Sequence, residues 1–302
     1  MIQTVTGRKD AASIGHFQMH EHLYVEPTPA SEKNPALVID DEACSILALR
    51  AYREAGGTAI LDAQPGGAGR NAHILKRISL ASGVPVVTVT GFHLPLFYRD
   101  PALLSQGADA LYCRWFGELK HGCSEDNEVY PGAVKAAIGK YGCAGQTENC
   151  LHAAAAAAHE AGVPLLIHTE AGFDALKAVQ IAFSEGLPTN HILICHADRQ
   201  VNDYTIHEAI AETGVMLEYD TIGRFKYHDD ESEARLLEHM IQNGYLNQLL
   251  LSLDTTRARL LSYGGEIGLT YILGTFLPKL RQRGFTSDML RIMTIANPKR
   301  CF

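Results

Sequence analysis

Eight short apolar runs recur along this chain, each separated from the next by a helical pattern, and that alternation limits the folds open to it. The runs are 17–24, "TAILDA" at 58–63, "VPVVTVTG" at 84–91, "GAVKAAIG" at 132–139, "VPLLIHT" at 163–169, "HILICHA" at 191–197, "GVMLEYD" at 214–220 and "QLLLSLD" at 248–254. They are apolar on both faces, as strands of a parallel sheet covered on both sides must be. Between them lie amphipathic or Ala-rich segments near 41–54, 70–82, 101–119, 146–161, 173–185, 202–212, 230–243 and 268–284. "EAGG", "ASGVP", "EAGVP" and "SEGLP" put Gly, often followed by Pro, between helix end and next strand. Eight βα units in 302 residues predict a (β/α)8 barrel, one α/β domain over 1–302. An open doubly wound sheet is the rival. No GxGxxG opens a helix, however, and "PGGAGRN" at 65–71 reads as a βα loop.

A barrel of this kind carries its active site at the C-terminal ends of its strands, and polar residues interrupt the apolar runs there. In "FQMHEHLYVE" at 17–26, His20 and His22 stand two apart, a spacing that points both imidazoles the same way only on a strand. Two such rings suit one metal ion, or a hydrogen-bonded histidine pair at a strand end. Glu21 should then face away and meet a polar partner behind the strand. His168 ends "LLIH", His196 ends "ILICH" and Asp254 ends "LLLSLD". A lone His or Asp at a strand end is most often a satisfied polar group. Four histidines and an aspartate on one rim, without cysteine, instead suit catalytic Zn²⁺ or a similar divalent ion.

Lys135 is the odd member, because it lies inside "GAVKAAIG", where an unpaired ammonium costs several kcal/mol. It can snorkel to the barrel mouth. It can also stay buried with a lowered pKa, as a neutral amine able to add CO₂ and form a carbamate. Lys140, two residues further in "GKYG", is the alternative and reads as a loop lysine.

Composition narrows the partners. Net charge is 26 − 34 = −8, which disfavours nucleic acid and anionic membrane surfaces. No apolar run approaches the roughly 18 residues of a membrane span. "MIQTVTGRKD" has no apolar signal core, so a cytoplasmic location is expected. Seven scattered cysteines without a CxxC read as free thiols. Of the 14 histidines, His159, His207, His228 and His239 fall in polar stretches and are expected at the surface.

The ordered set of HxH after strand 1, Lys in strand 4, His after strands 5 and 6, and Asp after strand 8 resembles the phosphotriesterase branch of the amidohydrolase superfamily. "MHEHL", "YDTIGR", "LSLDTTR" and the tail "TFLPKLRQRGF…NP" extend the likeness over nearly the whole chain, towards the bacterial phosphotriesterase homology proteins. The resemblance implies two divalent metal ions, Zn²⁺ by preference. His20, His22 and Asp254 would hold one and His168 and His196 the other, with N6-carboxylated Lys135 and a hydroxide between them. Some homology proteins have a bridging glutamate near this point. Here the neighbouring strand positions are Ala136 and Ala137, which favours the lysine version. The implied reaction is hydrolysis of an ester by the bridging hydroxide, with Asp254 as the catalytic proton acceptor.

Organophosphate-hydrolysing members carry histidines after strand 7, where this chain reads "YDTIGRFKYH". Basic and hydroxyl side chains are offered instead. Tyr98 and Arg99 follow strand 3, Arg224 and Lys226 follow strand 7, and Arg257 follows strand 8. Tyr98, Arg224, Lys226 and Arg257 are the expected substrate-binding set, unless they are ordinary solvated loop residues. They suit an anionic or polyhydroxylated substrate. A small ester or lactone, including a sugar or phosphorylated sugar lactone, is therefore the expected partner, with a phosphotriester as runner-up; a homodimer is allowed. A non-catalytic barrel that only binds is the remaining alternative, but such a site should have lost ligands, and all six residues are present.

Overall fold

The computed structural model describes residues 1–302. Eight parallel strands follow one another around a barrel: β1 (His16–Glu21), β2 (Gly57–Asp62), β3 (Val86–Gly91), β4 (Ala133–Ala137), β5 (Leu165–His168), β6 (Ile192–Cys195), β7 (Met216–Tyr219) and β8 (Leu249–Leu251). The crossover helices are α1 (Glu42–Glu54), α2 (Ala72–Ser82), α3 (Ala108–His121), α4 (Gln146–Ala161), α5 (Ala175–Ser184), α6 (Thr205–Glu212) and α7 (Asp230–Gln242). After β8, α8 (Leu277–Gln282) is entered through a π-helical turn, Ile272–Phe276. The predicted (β/α)8 barrel is the fold, formed as a single domain.

The differences lie at the ends of elements. Every strand but β2 is shorter than its apolar run, because flanking residues become loop; β2 keeps its length and starts one residue earlier. The segment near 101–119 splits into a 3-10 turn, Pro101–Ser105, and α3, since Gly107 stands between them. Two elements were not foreseen. A hairpin pairs Ile2–Thr4 with Gly7–Lys9, and helical turns run from Ser287 to Arg300. Together they close the floor, with Ile2, Ile14 and Cys301 packed in the same cluster as barrel-interior residues such as Leu166 and Leu250. No helix is long and apolar enough to cross a membrane.

Side-chain parity separates two cores. On β4, Val134 and Ala136 pack outward against helix residues, whereas Ala133 lies in the barrel interior and Lys135 shares its side. β1 departs from this regularity. Its ladder with β2 shifts register between His16 and Phe17 and again between Gln18 and Glu21. Phe17 and Met19 therefore fill the interior while His20, of opposite parity, also reaches Lys135.

No strand ladder joins β8 to β1, and side chains close that seam. Ser252 Oγ accepts from the Met19 and His20 N–H groups at 2.9 and 3.0 Å. The buried Glu21 carboxylate accepts from Leu253 N (2.9 Å), Thr255 N (3.2 Å) and Gln18 Nε2 (2.6 Å). The acid between the two histidines thus ties the first strand to the last. Burial pushes its carboxyl up to about 7, despite those hydrogen bonds.

A buried ion pair braces the top of β3. Arg70 donates to Glu118 Oε1 at 2.8 Å and to the Val89 carbonyl at 2.7 Å. Thr90 Oγ1 donates to Glu118 at 2.6 Å. Burial raises the Glu118 carboxyl, but the Arg70 charge and these hydrogen bonds outweigh that and hold it at about 2, against 4.5 ordinarily. A depressed folded pKa stabilises above the unfolded value and is lost as pH falls through the folded one. Wild type should therefore lose on the order of 3 kcal/mol between pH 5 and pH 2 that Glu118→Gln does not lose. Urea midpoints across that range check this, and parallel curves for the two proteins would refute it.

Candidate active site

The C-terminal ends of the strands bring His20, His22, Lys135, His168, His196 and Asp254 to one rim. Lys135 Nζ is fully buried, 3.0 Å from His20 Nε2. Gly91 lets its own strand pass close to the backbone of Lys135 on the neighbouring one. Its φ is +103°, and a Cβ there would fall 2.0 Å from the Lys135 carbonyl oxygen. His22 Nε2 stands 3.3 Å from Asp254 Oδ1, and His20 Nε2 4.0 Å from the same oxygen. The His168 and His196 rings lie 4.5 Å apart, and His20 and His196 4.8 Å apart. His196 and Asp254 both adopt left-handed backbone conformations, with φ of 65° and 47°. Such conformations in residues other than glycine concentrate at functional sites, where they re-aim a side chain as a strand ends.

A carboxylate layer beneath orients the rings. Asp220 Oδ1 meets His196 Nδ1 at 2.6 Å, and Asp220 Oδ2 lies 3.1 Å from His20 Nδ1. The Nδ1 hydrogen bond of His196 leaves its Nε2 for the centre, the usual arrangement behind a metal-binding histidine, while His20 Nδ1 stands near Asp220 without a hydrogen bond. Burial drives His20 and His168 down to about 4, and His196 lower, so all three are neutral at physiological pH. Burial would raise the Asp254 carboxyl. Arg224, the His22 hydrogen bond and neighbouring imidazoles instead hold it well below the usual carboxylate range.

These residues fit a pair of divalent cations. Neutral imidazole nitrogens and one ionised carboxylate converge, with the donor atoms of His20, His22 and Asp254 mutually within 4.8 Å. Lys135 has no carboxylate beside it. As an ammonium it would face only the more distant Glu218 and Asp220 charges, whereas a carbamate would offer anionic oxygens to the cations.

The rim opens into a cavity of about 280 Å³. Of the expected substrate-binding residues, Arg224 and Lys226 line it and two do not. Tyr98 is buried, and its hydroxyl accepts the His93 N–H at 3.0 Å while its ring lines a separate small void. Arg257 stands outside, paired with Asp40 at 2.6 Å and packed over the Tyr263 ring. The two expectations fail for different reasons: a partner distant in sequence holds Arg257, and the backbone of its own loop holds Tyr98. Arg99 likewise donates to the Pro27 carbonyl. The surface expectation also fails for His207 and His228, which are buried.

The sequence reading missed Arg199, Tyr227, Glu170 and His93, all in the cavity wall. Arg199 lies 3.6 Å from Asp254 and 3.2 Å from Glu170, whose other oxygen is 3.3 Å from His168 Nε2. Arg224 pairs directly with Asp254. The Tyr227 ring lies under Arg199, Arg224 and Lys226, with the cations 5.4, 5.7 and 4.5 Å from its centre. A signal existed for two of these: His93 sits two residues past β3 and Arg199 three past His196, the same rim.

A parallel barrel that gathers imidazoles, a carboxylate and a buried lysine where its strands end belongs to the class of metal-centred barrel hydrolases. Comparison with known proteins narrows the class. The model of the phosphotriesterase family matches residues 1–302, and the chain belongs to that family. It is 28% identical to the phospho-furanose lactonase of Mycoplasmopsis synoviae, covering 99% of this chain and 90% of that one. It is 27% identical to the mouse (Mus musculus) N-acetyltaurine hydrolase, covering 99% and 97%. Among solved structures, a lactonase from Listeria monocytogenes superposes with a TM-score of 0.93 at 27% identity, covering 100% of this chain and 98% of that one.

Proposed function

We propose that the protein is a binuclear metal-dependent lactonase whose preferred substrate carries a phosphate, a phosphorylated sugar lactone being the best fit. The observation that supports this reading is the convergence of Arg199, Arg224 and Lys226 around Tyr227 on one wall of the cavity, beside Asp254. In a chain of net charge −8, three cations on one wall suit an anionic substrate. The phospho-furanose lactonase and lactonase relatives point the same way.

In this reading His20, His22 and Asp254 would hold one ion and His168 and His196 the other, with carboxylated Lys135 as a further anionic donor. Nitrogen and oxygen donors without thiolate suit Zn²⁺. When bound, such a pair supplies Lewis acidity and an ionised water at neutral pH. The chain's own residues do the rest. Asp254, held as a carboxylate, is placed to accept a proton. Arg224 and Lys226 orient the phosphate, and Phe97 and Leu37 in the wall restrict bulk water. A cytoplasmic location belongs to the same proposal, supported by seven free thiols.

A charge-assisted contact contributes about 1.5–3 kcal/mol, roughly ten- to a hundredfold in binding. Lys226→Ala should cut kcat/KM for a phosphorylated γ-lactone by about that factor while leaving its dephosphorylated analogue within about twofold. Arg257→Ala, outside the cavity, should change neither. Equal losses on both lactones with Lys226→Ala would remove Lys226 from substrate recognition. Faster turnover of a paraoxon-like triester would favour the phosphotriesterase reading. Faster turnover of N-acetyltaurine would mean that the cationic wall reads a sulfonate.

A further inference from the structure

We propose that Asp198, His228 and Glu233 form a third, structural cation site, distinct from the barrel centre, which takes a divalent ion of the Zn²⁺ type. Asp198 lies on the loop after β6, His228 on the loop after β7 and Glu233 in the first turn of α7; all three are buried. Their ligand atoms lie within 4.8 Å of one another.

The hydrogen bonding is what a ligand set looks like. Neither oxygen of Glu233 has a hydrogen-bond partner, and Asp198 Oδ1 has none. Asp198 Oδ2 accepts from the Thr221 N–H at 2.6 Å. A buried carboxylate left in that state is costly unless a cation meets it. The nearest basic side chains are committed elsewhere. Lys279 pairs with Asp230 at 2.5 Å, and Arg259 donates to the Ile222 carbonyl at 2.6 Å and the Asp254 carbonyl at 3.3 Å. Asp220, the next carboxylate, is taken by His196 and His20.

His228 supplies the geometry. Its Nδ1 donates to the Asp229 carbonyl at 3.2 Å, which leaves Nε2 as the acceptor nitrogen, met here by the Thr221 hydroxyl. That Nε2 lies 3.4 Å from Glu233 Oε2, 3.9 Å from Asp198 Oδ2 and 3.1 Å from Thr221 Oγ1. Ligands about 2.0–2.2 Å from a tetrahedral ion sit about 3.3–3.5 Å from one another, so His228 and Glu233 already span one edge. An ion here would pin both ends of the loop that carries Arg224, Lys226 and Tyr227 to the mouth, without touching substrate.

The test compares wild type with Glu233→Gln after equilibration with Zn²⁺ and removal of excess metal. Elemental analysis should give one ion per chain more in wild type, whatever the barrel centre holds. Added Zn²⁺ should raise the Tm of wild type further than that of the variant. Diffraction at the zinc edge should show an anomalous peak between His228 Nε2 and the two carboxylates. Should Glu233→Gln fail to fold, His228→Asn serves the same comparison. Equal metal content in wild type and variant, or no peak at His228, would overturn the proposal.

Discussion

Lys135→Ala is expected to strip the barrel centre of its metal and lower lactonase kcat/KM by about a thousandfold or more, equivalent to roughly 4 kcal/mol of barrier. Lys135 is buried at the middle of β4, and its Nζ finds a histidine nitrogen and no carboxylate. Carboxylation of that amine by CO₂ would turn it into a carbamate. The carbamate would add an anionic group between the histidines where Ala136 and Ala137 offer none. A short carboxylic acid added in millimolar amounts should enter the space left by the side chain and restore part of both metal content and turnover. Lys140→Ala is the control, because Lys140 is exposed and packs over the Tyr141 ring. A Lys135→Ala protein that keeps its metal and rate would exclude the carbamate, as would an unmodified ammonium in a well-resolved, metal-loaded crystal.

Glu21→Ala is expected to produce the largest loss of stability, about 3–5 kcal/mol, with metal binding weakened in parallel. The substitution leaves the Leu253 and Thr255 N–H groups and the Gln18 amide without their acceptor. Each buried donor abandoned costs about 1–3 kcal/mol. The damage falls at the only junction of the barrel that lacks a strand ladder, and Asp254 lies between the two backbone donors. Glu21→Gln keeps one acceptor oxygen and should fall between wild type and Glu21→Ala. Urea unfolding with and without metal measures both effects. A Glu21→Ala protein with an unchanged midpoint would show that Ser252 and the bond from Asp254 N–H to the His20 carbonyl (3.1 Å) hold the seam unaided.

Much of the site was legible because the barrel converts local pattern into position. Each apolar run followed by a helix is one βα unit, and every strand's C-terminal end arrives at the same rim. A polar residue ending a run, such as His168 or His196, is therefore located by sequence alone. The same logic covers Lys135, whose strand position fixes which side it shares with Ala133. What it cannot reach is any residue whose direction is set by a contact that periodicity does not assign. Arg257 was claimed by Asp40, 217 residues away, and Tyr98 by the backbone of its own loop.

Arg199 and Tyr227, by contrast, came to the cavity from loops without periodicity, where no 3.6- or 2-residue pattern assigns a face. His228 was placed at the surface because its neighbours are polar, yet the packing of α7 against the β6 and β7 loops buried it with two carboxylates. Glu21 was correctly turned from the metal face, but its role as the closure of the barrel depended on β8 arriving beside β1. The sequence by itself determined the fold class, the rim and the six residues on it, because these follow from periodicity and chain order. Only the tertiary structure decided which cations face the substrate cavity and how the barrel closes, because both depend on side-chain contacts made across the fold.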